Sequence, residues 1–197
     1  MDAWTTPFDR APRPDTGLTN GQLGLALGVA AQLMLLGALV ASYVLLRVGA
    51  LPGAWPAVGQ RGAHPLMPWV QAVLPVSLVC GVMAWRCAAR GAFRSWVMAM
   101  MALGLGALAL TALDWSGKLA AGQTPAAHTY FACYYVLSGV VTLQLLAGLV
   151  ACGGLLARTG GAAAHTPLAA ERARLVAGWW IFSALCGSVA YAVLYHL

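Results

Sequence analysis

Apolar positions run through this chain in long blocks, and the charges fall between the blocks. No charged residue occurs between Thr16 and Leu46, Gly62 and Trp85, Ser95 and Leu113, Leu119 and Ala157, or Leu175 and Leu197. A helix crossing the roughly 30 Å hydrocarbon core of a bilayer needs about 20 apolar residues. The pattern therefore predicts five spans. The fourth block is too long for one helix, and Gly122, Thr124 and Pro125 mark a loop at its start. The predicted helices cover about 19–46, 67–88, 93–114, 128–157 and 173–196. The expected fold is all-α: a polytopic membrane protein whose single domain, 19–197, is a bundle of five transmembrane helices.

Residues 1–18 read as a polar arm outside the membrane. They hold Asp2, Asp9, Arg10, Arg13, Asp15 and three prolines, with no short apolar core of the kind a cleavable signal needs. The connection over about 48–66 is rich in proline and glycine and is not predicted helical. The connection "RCAARGAF" is so short that the second and third helices must form an antiparallel hairpin. Pro75 falls inside the second helix, removes one backbone hydrogen bond and predicts a kink. No internal repeat is evident.

Composition agrees with this picture. The chain is 61% hydrophobic and 8% charged, against about 25% charged for soluble domains. Arg10, Arg13, Arg86, Arg90, Arg94, Arg158, Arg172 and Arg174 share one side of the predicted bundle, while Arg47, Arg61 and Lys118 share the other. Basic residues are retained on the cytoplasmic side, which predicts a cytoplasmic N-terminus and a periplasmic C-terminus. The net charge of +6 thus follows from topology, and no basic patch on a soluble domain points to nucleic acid. Trp69 and Trp115 fall at predicted outer helix ends, and Trp85 and Trp96 at inner ends, the headgroup levels where tryptophan is favoured.

Polar chemistry inside the predicted spans is sparse. His64, His128, His165 and His196 all fall at helix ends or in loops, so no pair is placed to ligate a haem within the membrane. Cys80, Cys87, Cys133, Cys152 and Cys186 show no C-x-x-C spacing and read as buried thiols. Met98, Met100 and Met101 read as packing residues. Asp114 stands four residues before Lys118, the spacing of an intrahelical ion pair. Small residues recur four apart in Gly24 and Gly28, Ala102 and Gly106, Ala147 and Ala151, and Ser183 and Gly187, a spacing that lets helices approach closely in lipid. Gln32, inside "AAQLMLLGALVASYVLLR", needs a partner, because an unpaired buried amide costs about 1–3 kcal/mol.

Several segments, taken in order, resemble subunit III of the haem–copper oxidases (cytochrome c oxidase subunit 3) in its five-helix bacterial form. "AAQLMLLGALVASYVLLR" is similar to the family's A-S-E-x-M-x-F-x-x-x-x-x-Y helix, and "AWPAVGQRGAHPLMP" to its W-P…H-P-L-x-P loop. "LDWSGKLAAG" stands where the family has E-W or E-Y. "HTYFACYYVLSGVVTLQLLAGLV" is similar to Y-G-x-x-F-F-x-x-T-G-F-H-G-L-H-V-x-x-G, and "GWWIFSALCGSVAYAVLY" to the closing Y-W-H-F-V-D helix. His64, Trp85 and Arg158 match family residues. Gln32 stands where the family has a glutamate, Val141 and Gln144 where it has two histidines, Ile181 and Ala184 where it has His and Asp, and Asp114 replaces a glutamate.

The resemblance implies a non-catalytic subunit of a respiratory terminal oxidase in a bacterial inner membrane. Such a subunit carries no cofactor; haem and copper belong to the partner subunit I, on which it packs in a complex that also holds subunit II. It binds phospholipid, supports proton uptake and protects the oxidase from inactivating during turnover. Arg158 matches an arginine that holds a lipid phosphate, and Trp85 and Gln32 join it as candidate lipid-binding residues. Gly24, Gly28, Ala147 and Ala151 are the candidate helix-packing positions. For Gln32 the expected partners are, in order, Gln144, the neighbourhood of Tyr43 and a helix carbonyl. Alternative readings are the accessory subunit of a related nitric oxide reductase, a small membrane transporter and an assembly factor.

Overall fold

The structure, a computed structural model, describes residues 18–51, 55–56 and 67–196. Most of the N-terminal arm and most of the connection before the second helix, with Arg10, Arg13, Arg61 and His64, lie outside the described residues. Within them the chain is helical: α1 (Asn20–Val48), α2 (Met67–Cys87), α3 (Arg94–Ala120), α4 (Thr129–Arg158) and α5 (Pro167–His196), with 3₁₀ turns at Ala88–Arg90 and Gly161–His165. All five helices are long and apolar enough to cross a membrane, so the chain is a multi-pass membrane protein.

Two helices differ from the sequence expectation. α3 continues to Ala120 rather than stopping at 114, because the stretch "WSGK" stays helical and Lys118 bonds back to Asp114 one turn earlier. α5 starts at Pro167 rather than 173. Proline suits the first turn, where its missing N–H is no loss, and the Thr166 hydroxyl accepts from the Ala169 N–H at 3.2 Å. The charged second turn of α5, Glu171 to Arg174, is therefore helix that precedes the apolar run. α1 opens on a capping box: Thr19 Oγ1 accepts from Gln22 N, and the Gln22 side chain accepts from Thr19 N.

α2, α3, α4 and α5 pack in a ring, each against the next, and α1 lies outside it in the seam between α4 and α5. Trp180 of α5 is fully buried at the centre. Its ring occupies the space that side chains at Gly104 of α3 and Gly148 of α4 would fill; a Cβ at Gly148 would stand 3.0 Å from Trp180 Cε3. These glycines set how closely α3, α4 and α5 approach. α1 is less embedded, with Leu36 and Tyr43 its only buried residues, and its outward Leu33 and Met34 are exposed as lipid-facing side chains would be.

The ring has two unlike ends. One gathers Arg86, Arg90, Arg94, Arg158, Arg172 and Arg174 at the start of α3 and α5 and the end of α2 and α4. There Arg94 donates to the carbonyls of Leu156, at 3.2 Å, and Thr159, capping the exposed C-terminus of α4. Gly91, with φ of 70°, turns the α2–α3 hairpin directly under the His165 ring, where no side chain would fit. The other end is built from aromatic residues.

Candidate functional site

Three polar constellations interrupt the apolar interior. The first joins α1 to the ring. Gln144 Nε2 donates to Gln32 Oε1 at 3.0 Å across the α1–α4 seam, the first of the partners expected for Gln32. Trp179 of α5 donates its indole N–H to the Gln144 carbonyl at 3.2 Å, so three helices meet at one node. Gln144 is almost fully buried, and its Oε1 has no partner. The bond is neutral on both sides: it fixes α1 and carries no charge or proton.

The second constellation lies at the arginine end, between α4 and α5. Arg158 and Arg172 line one groove of about 300 Å³ with Ala151, Gly154, Leu175 and Val176. The small residues Ala151 and Gly154 open it; a Cβ at Gly154 would meet nothing within 4 Å. The walls are aliphatic and the two cations stand at the same end of the bundle. Sequence analysis singled out Arg158 through the resemblance; the fold brings Arg172, fourteen residues further on and inside α5, to the same groove.

The other expected lipid residues do not join this groove. Gln32 stands twelve residues into α1, about 18 Å from its start at 1.5 Å per residue, and is engaged with Gln144. Trp85 of α2 does not line the groove and packs over Gly178 of α5, where a Cβ would lie 3.0 Å from its ring. Of the helix-packing positions, Gly28 faces Trp179 at 3.7 Å and Ala151 lines the groove. Gly24 faces open space and Ala147 is exposed. The close approaches run instead over Gly104, Gly148, Gly81 and Gly187, which face bulky partners across the ring.

The third constellation is at the aromatic end. Asp114 and Lys118 form a 2.6 Å ion pair with both side chains buried. Tyr134 donates to the second oxygen of Asp114. Lys118 Nζ lies 3.4 Å from Tyr195 Oη and 4.7 Å from the Tyr134 ring centroid. One turn deeper, Thr111 and Tyr191 share a 3.1 Å hydrogen bond. The i,i+4 pairing was readable from spacing; the tyrosines from α4 and α5 that enclose it were not, since only the fold brings them there. Tyr43, Trp55, Tyr130 and Phe131 extend the aromatic end, with ring centroids 5.4 to 5.8 Å apart. His128 caps α4 through a 3.1 Å bond from Tyr130 N.

Compared with protein-family models and with curated proteins, the chain finds no match.

Proposed function

We propose that this chain is a non-catalytic subunit III of a haem–copper terminal oxidase, packing on the catalytic subunit I in a bacterial inner membrane with its N-terminus in the cytoplasm. The observation that carries this reading is the amide bridge. Gln32 and Gln144 are 112 residues apart in sequence, and both stand at positions that the resemblance assigns to ionisable family residues. In the fold those two positions face each other and bond. The same positions, now both amides, hold α1 to α4 without charge.

The remaining polar groups fit a supporting role. The arginine groove holds phospholipid at the cytoplasmic surface, with Arg158 on a phosphate. The buried ion pair fixes α3 against α4 and α5. The functional contribution is therefore lipid retention and stabilisation of the partner, while electron transfer takes place in subunit I.

Deletion of the chain's gene tests the reading. Membranes from the deletion strain should start oxygen consumption at near the parental rate and then lose activity sooner during sustained turnover, with restoration by the intact gene. An oxygen-consumption time course identical to the parent's would overturn it. A loss of nitric oxide reduction instead would assign the chain to the related reductase.

A further inference from the structure

The phenols at the aromatic end have unlike partners. Tyr130 and Tyr135 donate to the backbone carbonyls of Leu194 and Gln123, at 3.2 and 3.1 Å. Tyr191 shares a hydrogen bond with Thr111. Tyr195 faces the Lys118 ammonium. Tyr134, fully buried, is the one whose phenol donates to a carboxylate among the described residues, at Asp114 Oδ2. Loss of an electron turns a phenol into a radical cation, a far stronger acid than any carboxylic acid. Inside an apolar bundle that oxidation is feasible only where a base already bonded to the phenol takes the proton. A backbone carbonyl cannot keep the proton, and an ammonium has no lone pair to receive it. Asp114 can take it while Lys118 stays on its other oxygen, 2.6 Å away. A buried ion pair is weak evidence of a stability role, since apolar residues of similar volume often hold a fold as well. An ionisable group inside a membrane protein points instead to function.

Tyr134 also has a route outward. Its ring stands edge-on to Tyr135 with centroids 5.4 Å apart, and Tyr135 stands 5.8 Å from Trp115. Both outer rings are part-exposed. Electrons pass readily between aromatic rings in contact. Trp115 donates its indole N–H to the Ser138 hydroxyl at 3.1 Å, and Tyr135 to a carbonyl, so neither outer ring has a base that would hold an oxidising equivalent there.

We infer that Tyr134 is a redox-active tyrosine, with Asp114 as the base that takes its proton and Tyr135 and Trp115 as the path to the surface. The Tyr134 O–H bond breaks and an O–H bond forms on Asp114. One electron leaves through Tyr135 and Trp115 to a strong one-electron oxidant, which is reduced by one unit, and Tyr134 becomes a neutral radical. One electron from an ascorbate-class reductant, with the proton returned from Asp114, restores the phenol. The aromatic end thus stores one oxidising equivalent inside protein, away from the surrounding acyl chains. None of this requires the oxidase partner.

The full-length chain in lipid nanodiscs is oxidised with tris(bipyridine)ruthenium(III), generated by a light flash in the presence of a cobalt(III) quencher. Radicals are read by transient absorption and by electron paramagnetic resonance of freeze-quenched samples, with ring-deuterated tyrosine to separate tyrosyl from tryptophanyl signals. The wild type should give a neutral tyrosyl radical that forms more slowly after equilibration in D2O, because the phenolic proton moves with the electron. Tyr134→Phe should lose that signal, and Tyr191→Phe should keep it. Trp115→Leu should slow its formation. Asp114→Asn, if it retains native helix content, should lose the radical while keeping Tyr134; if it does not fold, the D2O comparison on the wild type decides the proton step. An undiminished tyrosyl signal in Tyr134→Phe, no tyrosyl radical in the wild type, or equal rates in H2O and D2O overturns the assignment and leaves the oxidase reading standing.

Discussion

Breaking the buried ion pair at one partner should cost far more than replacing both. Asp114 and Lys118 are 0% and 2% exposed and 2.6 Å apart. Lys118→Met leaves the Asp114 carboxylate buried with the Tyr134 hydroxyl as its remaining donor. Asp114→Leu takes away the carboxylate that pairs with the buried ammonium and keeps the weaker contacts to Tyr195 Oη at 3.4 Å and the tyrosine rings. Removing one partner of a buried pair costs about 3–5 kcal/mol, whereas replacing the pair by apolar residues of similar volume is often neutral or stabilising. For a chain of this size about 1 kcal/mol moves the melting temperature by about 2–4 °C. Each single variant should therefore melt about 6–20 °C below the wild type. The double variant Asp114→Leu/Lys118→Met should melt above either single variant and close to the wild type, apart from the hydrogen bond that Tyr134 loses. The assay is thermal unfolding of the purified chain in lipid nanodiscs, followed by helical circular dichroism. Single variants that melt like the wild type, or a double variant whose loss equals the sum of the two, would refute the reasoning.

Further outcomes follow from the same packing. Gln32→Leu should cost about 1 kcal/mol, since it strands the buried Gln144 amide, while Gln144→Leu also removes an oxygen that already lacks a partner and should be neutral or stabilising; the same melts check both. Gly104→Ala drives a methyl into the Trp180 ring and should cost about 1–3 kcal/mol, whereas Gly24→Ala, which meets nothing within 4 Å, should be tolerated without loss. In a background whose native cysteines are replaced, a cysteine at Ala126, in the α3–α4 connection, should react with an impermeant maleimide added to intact cells. One at Ala92, in the α2–α3 hairpin, should react only after the cells are opened; the reverse pattern would invert the topology.

What could be read from the sequence divides along physical lines. The five helices were legible because bilayer thickness imposes a run length that no other element of this chain imitates. The ends of α3 and α5 were not, because helix continues past the apolar run wherever local caps and pairs support it: Lys118 returns to Asp114, and Thr166 caps a first turn that carries Glu171, Arg172 and Arg174 in the turns that follow. Gln32 and Gln144 could be matched because an amide in an apolar helix must find a partner and few exist. Small residues could not be sorted in the same way. Four-residue spacing is common in a chain this rich in alanine and glycine, and only the position of Trp180 decides that Gly104 and Gly148 matter where Gly24 and Ala147 do not. Arg172 joined Arg158 through the seam between α4 and α5, a relation with no local signature. The tyrosines around Asp114 come from α4 and α5 and were invisible for the same reason.

The central claim is that this chain works as part of a haem–copper oxidase. Its most direct test is affinity purification of the tagged chain from native membranes in mild detergent, followed by visible spectroscopy and intact mass of the complex. The account predicts a reduced-minus-oxidised haem spectrum and a catalytic subunit present one to one with this chain. A tagged chain that elutes at full yield without haem and without a large partner would contradict it.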